Sequence, residues 1–282
     1  MAETPPVQDG HVGKTRFRVM QPAHAGADTL VFLHGVGMQL EFWQPQLAYF
    51  SQNCRCVAYD MLGHGDSPLP PAAPTLADYS AQFLDVVEHL GLGRVTFIGH
   101  SMGALIAIDA AIRYPDRVER LVAMNGVYDR TPAQKAAIAA RVDQLDGTVP
   151  DWSATLDRWF GGEPAADALA RRASLHDLLM RIQPEGYART YRLFSVSDQV
   201  HVDTLPTLQA PALFLTGELD PNSTPAMSEA MALACPNGRA SILPGERHMM
   251  SYVHPASTDR AITEFLHETG TENLPVFRSP TP

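Results

Sequence analysis

Apolar and polar positions along this chain follow two rhythms. Short, nearly continuous apolar runs end in glycine or in an acidic turn: TLVFLHG at 29–35, CRCVAYD at 54–60, RVTFIG at 94–99, RVERLVAMNG at 117–126, APALFLTG at 210–217 and RASILPG at 239–245. Such runs predict strands buried on both faces. Residues 15–20 add a first candidate strand. Between these runs the apolar residues recur at helical spacing. Phe42, Trp43, Leu47 and Phe50 mark a short helix. Leu76, Tyr79, Phe83, Val86, Val87 and Leu90 mark a longer one, with Thr75 and Asp78 placed as a capping box and Gly91 just past its end. Helices are also predicted over 104–113, near 224–234 and over 256–268. The alternation predicts an α/β fold: a mostly parallel, doubly wound sheet.

Residues 127–205 break the rhythm, because no strand-like run occurs there. Thr131 and Pro132 read as an N-cap followed by proline at the first helical position. Trp152, Leu156, Trp159 and Phe160 form one helical stripe. Leu175, Leu178, Leu179 and Ile182 form a second, and Tyr187, Tyr191 and Phe194 a third. About four helices are therefore expected, inserted between two strands. The expected division is a core of 1–126 and 206–268, a helical insertion at 127–205, and a mobile, proline-rich tail at 269–282. Most stripe residues should simply pack. An insertion after a strand's C-terminal end nevertheless falls where open α/β sheets bind ligands.

Composition narrows the function. The 282 residues carry a formal charge of −10 with no basic run, which argues against nucleic acid or an anionic membrane as partner. No apolar stretch reaches the roughly 18 residues of a membrane helix. MAETPPVQDGHVGK lacks an apolar signal core, so a cytoplasmic location is expected. Cys54, Cys56 and Cys235 give no disulfide framework and no metal-ligand spacing, so neither a metal nor a disulfide is expected.

The chemistry concentrates at Gly99-His100-Ser101-Met102-Gly103, a G-x-S-x-G pattern between a predicted strand and a predicted helix. A turn this tight holds the serine hydroxyl at a helix N-terminus, where the dipole favours developing negative charge. A nucleophilic serine needs a base, and the base an orienting acid. Asp220 and His248 each follow a predicted strand at its C-terminal end, in the order Ser, acid, His; His254 is the fallback base. The oxyanion hole is assigned to the backbone N–H of Met102 and, from the loop His34-Gly35-Val36-Gly37, to that of Val36, with Gly37 as alternative. His34 is expected to brace this loop.

Five segments together, HGVG (34–37), DMLGHGDS (60–67), GHSMG (99–103), GELD (217–220) and GERH (245–248), resemble the α/β-hydrolase superfamily over roughly residues 14–268. Within it the chain resembles enol-lactonases, carboxylesterases and meta-cleavage-product hydrolases, whose helical cap lies where residues 127–205 lie here. Ser101 separates it from the haloalkane dehalogenases and epoxide hydrolases, which carry aspartate at the elbow. DMLGHGDS reads as a turn common to the fold, with no site formed by His64 or Asp66.

The resemblance implies a cofactor-independent serine hydrolase of a small-molecule ester or lactone. The alternatives are a C–N or C–C bond in a small carboxylate-bearing metabolite, or a non-enzymatic ligand receptor on the same fold. Substrate is expected to meet Gly35, Gly37, Met38 and Trp43 near the oxyanion loop, and Trp152, Trp159 and Phe194 from the insertion. Arg181, Arg189 or Arg192 could meet a carboxylate, although solvation is the expected fate of each. A homo-oligomer is left open.

Overall fold

The computed structural model describes residues 6–22, 27–161 and 166–270; most of the predicted tail lies outside them. Eight strands among these residues form one sheet: β1 (Val7–Val12), β2 (Thr15–Met20), β3 (Thr29–Leu33), β4 (Arg55–Tyr59), β5 (Val95–His100), β6 (Val118–Met124), β7 (Ala212–Gly217) and β8 (Gly238–Leu243). Their order is β1-β2-β4-β3-β5-β6-β7-β8. β2 is antiparallel to both β1 and β4, and every other neighbouring pair is parallel. β1 has no counterpart in the apolar pattern. Its side chains are largely exposed and it is held to β2 through backbone pairing, so burial imposes no alternation on it.

The helices are α1 (Gln44–Phe50), α2 (Leu76–His89), α3 (Met102–Arg113), α4 (Pro132–Val142), α5 (Ser153–Phe160), α6 (Ala166–Leu179), α7 (Pro184–Val196), α8 (Pro225–Ala234), α9 (Met250–Val253) and α10 (Pro255–Glu268). Both sheet faces are covered, which explains the unbroken apolar runs. Val31, Leu33, Phe97, Leu121, Ala123 and Phe214 pack with α2, α3 and α8 in one buried cluster. The intervening Leu30, Phe32, Ile98, Val122 and Leu213 pack with α1 and α10 in another. Successive residues of each strand thus serve opposite faces. Phe83 of α2 stacks on Phe97 of β5 with ring centroids 4.2 Å apart.

The chain between β6 and β7 holds α4 to α7. Thr131 and Gln134 form a reciprocal capping box at the start of α4, with Pro132 behind it. Trp152, Leu156, Trp159, Leu175, Leu179 and Tyr187 share a buried cluster with Met38 and Phe42, which follow β3. Phe194 belongs instead to the cluster of α2 and α3. The four helices are therefore joined to the sheet through both cores. Among the described residues, no helix is long and apolar enough to cross a membrane, and no group of His, Cys, Asp and Glu is arranged to hold a metal.

Candidate active site

β5 ends at His100 and α3 starts at Met102, which leaves Ser101 alone to make the turn. Its backbone lies at φ 55°, ψ −113°, a region that L-residues rarely adopt. Strain of this kind costs about 1–3 kcal/mol and persists only where the surroundings enforce it. Here they do. A Cβ on Gly99 would fall 2.0 Å from the Gly103 carbonyl oxygen, and one on Gly103 would fall 2.3 Å from that of Leu33. The two glycines let β3, β5 and α3 close around the serine, and Ser101 N–H is pinned to the Met124 carbonyl at 2.8 Å. Among the described residues, Ser101 Oγ makes no hydrogen bond.

Asp220, after β7, and His248, after β8, meet beside it. His248 Nδ1 donates to Asp220 Oδ2 at 2.7 Å, so the ring's Nε2 is left with a lone pair. Asn125 Nδ2 donates to the same oxygen at 2.8 Å, while Asp220 Oδ1 accepts the N–H groups of Asn222 at 2.8 Å and Ser223 at 3.2 Å. Burial alone would raise the Asp220 carboxyl. The charge of His248 and these donated hydrogen bonds outweigh it and hold the group below the usual carboxylate range. His100 Nε2 donates to the His248 carbonyl at 2.8 Å, which ties the residue before the nucleophile to the base's own backbone. Burial, followed by the charge of His248, pushes the His100 imidazole down to about 3, and its Nδ1 is buried without a partner. His254, the fallback base, instead bonds Glu246 on the surface.

The loop after β3 is fixed by two more neutral histidines. His34 Nδ1 donates to the Gly35 carbonyl at 2.8 Å and its Nε2 accepts the N–H of Met61 at 3.2 Å. This is the bracing expected of it. His64 donates from Nδ1 to the Leu62 carbonyl at 3.1 Å and accepts the N–H of Gly37 at Nε2, 3.0 Å away. Two expectations change here. Gly37 N–H is engaged and is unavailable as an oxyanion donor, and His64, read from sequence as part of a plain turn, anchors the loop. The N–H groups of Val36 and Met102 donate to no described residue. Gly35 sits so close to the serine that a Cβ there would be 3.1 Å from Ser101 Cβ.

These groups open into one cavity of about 680 Å³ lined by Ser101, His248, Gly35, Val36, Met38, Trp152, Trp159 and Phe194 together with residues of α4 and α7. Trp159 stacks against His248 with ring centroids 5.9 Å apart. Two expected lining residues are corrected. Gly37 is not part of the cavity wall; a Cβ there would meet Leu179, Tyr187 and Trp152, so it lies behind two residues that do line it. Trp43 is fully buried between Phe32 and Phe42, where it packs as core. Of the arginines singled out, Arg189 pairs with Glu185 and the Pro70 carbonyl, and none of Arg181, Arg189 and Arg192 reaches the cavity. Arg130, Arg141, Arg158, Tyr187 and Tyr191 line it instead. The aromatic stripe pointed at the two tyrosines; nothing in the spacing of the arginines singled them out.

The sequence model described as the alpha/beta hydrolase fold matches residues 28–255. The chain is 37% identical over 242 residues to an (E)-2-((N-methylformamido)methylene)succinate hydrolase of Acinetobacter baylyi, covering 86% of this chain and 91% of that protein. It is 26% identical over 243 residues to a 2-(acetamidomethylene)succinate hydrolase of Mesorhizobium japonicum, covering 84% of this chain and 87% of that protein. The crystal structure of the enol-lactonase from Burkholderia xenovorans superposes with a TM-score of 0.76 at 26% identity, covering 92% of this chain and all of that one. Sheet order, serine elbow and sequence relationship agree, and the chain belongs to the α/β-hydrolase family.

Proposed function

We propose that this protein is a serine hydrolase that cleaves the acyl C–N bond of a small N-acylated enamine carrying carboxylate. The observation that carries the acyl-transfer reading is the strained Ser101 facing the same cavity as a His248–Asp220 pair whose hydrogen bond leaves His248 Nε2 free to accept a proton. Ser101 Oγ attacks the acyl carbon while His248 Nε2 takes its proton, and Asp220 stabilises the imidazolium that forms. Negative charge builds on the carbonyl oxygen, where the N–H groups of Val36 and Met102 stabilise it. The C–N bond then breaks and His248 returns the proton to the departing nitrogen. Water, deprotonated by His248, attacks the acyl-enzyme and releases the acid. No step calls for a cofactor.

The bond type rests on the relatives, two of which are named for succinates bearing an N-acylaminomethylene group. The same machinery opens an enol-lactone, and the likeness to the Burkholderia enzyme supports that second reading. The helices between β6 and β7 act in this scheme as a cap. Met38, Trp152, Trp159 and Phe194 shape the apolar part of the substrate pocket, as the lining of the cavity supports. The deciding experiment assays purified protein on a 2-(acylaminomethylene)succinate, a 3-oxoadipate enol-lactone and p-nitrophenyl acetate. Multiple turnovers with kcat/KM highest on the first are expected. Preference for the lactone would select the second reading, and the absence of turnover on all three would leave a ligand receptor.

A further inference from the structure

We infer that Arg141 of α4 and Arg158 of α5 form a carboxylate-binding pair in the Ser101 cavity, which selects a substrate bearing two carboxylates beside its acyl group. This deepens the acyl-transfer reading and rests on it. Both side chains line the cavity that Ser101 and His248 enter. Among the described residues neither guanidinium has an acidic partner, and Arg158 makes one side-chain bond, a long one, from Nη2 to Thr155 Oγ1 at 3.4 Å. Its Nε is buried with no acceptor.

The third arginine of the cavity shows what a satisfied one looks like. Arg130 is buried against Asp198, with its Nη1 also on the carbonyls of Phe194 and Ser195. Two acids on the cavity wall, Asp146 and Asp151, accept from their own loops at Thr148 and Ser153, and among the described residues neither forms an ion pair with Arg141 or Arg158. Arg141 and Arg158 also feel one another. Burial, and after it the charge of Arg141, lowers the affinity of Arg158 for its proton, while Tyr191 and Asp220 act in the opposite direction.

The indole N–H groups add to the imbalance. Trp152 and Trp159 both line the cavity, and their Nε1 atoms are buried without an acceptor. Two guanidiniums with no carboxylate partner among the described residues, beside two indole N–H groups without an acceptor, make a wall rich in donors that is complementary to an anion rich in acceptors. Each planar guanidinium presents the fork that a carboxylate fits. Two such forks on two helices leave one charge unanswered by a monoacid, whereas a four-carbon diacid can answer both.

The test uses succinate as an inert probe and the labelling of Ser101 by a fluorophosphonate as readout. Succinate should slow labelling of the native protein in a saturable way, and acetate at equal concentration should do so far less. In Arg141→Leu and Arg158→Leu the succinate concentration that halves the labelling rate should rise about tenfold or more, the usual consequence of losing a charged hydrogen-bonding partner. Expressing protection as a ratio within each variant removes any change in intrinsic reactivity. Arg158→Lys retains the charge without the fork and should fall between. Labelling that succinate does not slow, or that both leucine variants protect as the native protein does, overturns the pair while acyl transfer stands. If Ser101 is not labelled at all, the acyl-transfer reading fails and the pair falls with it.

Discussion

Asn125 and Asp220 are joined by a 2.8 Å hydrogen bond from the amide to the very carboxylate oxygen that also accepts His248 Nδ1–H. Asn125 adopts φ 50°, one of three non-glycine residues with positive φ among the described residues. Its N–H is held by the Leu215 carbonyl and its own carbonyl accepts Ser223 Oγ. The residue just past β6 thus presents a fixed side-chain donor to an acid in the loop after β7. Asn125→Gly removes the amide while suiting the left-handed backbone. It is expected to lower kcat/KM by about 10–100-fold, as for a lost hydrogen bond to a charged group. Wild-type kinetics in this variant would show that Asp220 is positioned without it.

Ser101 combines strain with chemistry, and two substitutions separate them. Ser101→Ala should abolish fluorophosphonate labelling and reduce kcat by on the order of 10⁴–10⁶. Ser101→Gly should be equally inactive but more stable, by about 1 kcal/mol, because glycine accepts the positive φ. Chemical denaturation of both variants would reveal whether the elbow stores strain. Equal midpoints for Gly and Ala would mean that it does not.

Acid should loosen the protein through its buried histidines. Burial depresses His64 to about 4 and His100 to about 3 from the ordinary 6.5. In the unfolded chain both take up protons as pH falls through about 6.5, whereas in the fold they stay neutral until about 4 and 3. The unfolded state therefore binds more protons in this window. The stabilisation from neutral burial is complete above about pH 6.5 and is lost progressively as pH falls toward 4. His64→Gln keeps an acceptor for Gly37 N–H but cannot titrate. Urea midpoints across this range should fall less steeply for the variant, and parallel curves would remove His64 from the account.

Trp43→Ala should cost about 3–5 kcal/mol of stability, the usual range for emptying an aromatic core site. Its effect on the ratio of kcat/KM between small and bulky substrates should be small, since the side chain is fully buried away from the cavity. Trp159→Ala, beside His248, should change that ratio. A reversed outcome would return Trp43 to the pocket.

The serine elbow, the acid and the histidine were legible because each is a local event: a strand pattern, a turn and a small set of residue types. The capping boxes at Thr75 and Thr131 were legible for the same reason. β1 was not, since exposed backbone pairing leaves no periodicity, and α9 spans only four residues, Met250–Val253. The placement of Arg141 and Arg158 in the cavity depends on how α4 and α5 are set over the sheet, which no spacing along either helix encodes. His64 and Asn125 act on groups distant in sequence, across 27 and 95 residues. Trp43 shows the converse: nearness in sequence to the oxyanion loop did not bring it to the cavity.

β6 and β7 are parallel neighbours, with Leu121 opposite Ala212 and Met124 opposite Leu215, so the chain leaves the sheet at Met124 and re-enters it one strand over and three residues back, roughly 11 Å away. Everything from α4 to α7 is spliced in between those two points. A segment attached this way can be lengthened, shortened or exchanged between related proteins without shifting the register of any strand. Grafting the corresponding stretch of a relative between these strands would replace the cavity wall, Arg141 and Arg158 included, while leaving Ser101 and His248 where they stand. Pocket and chemistry can therefore be inherited separately.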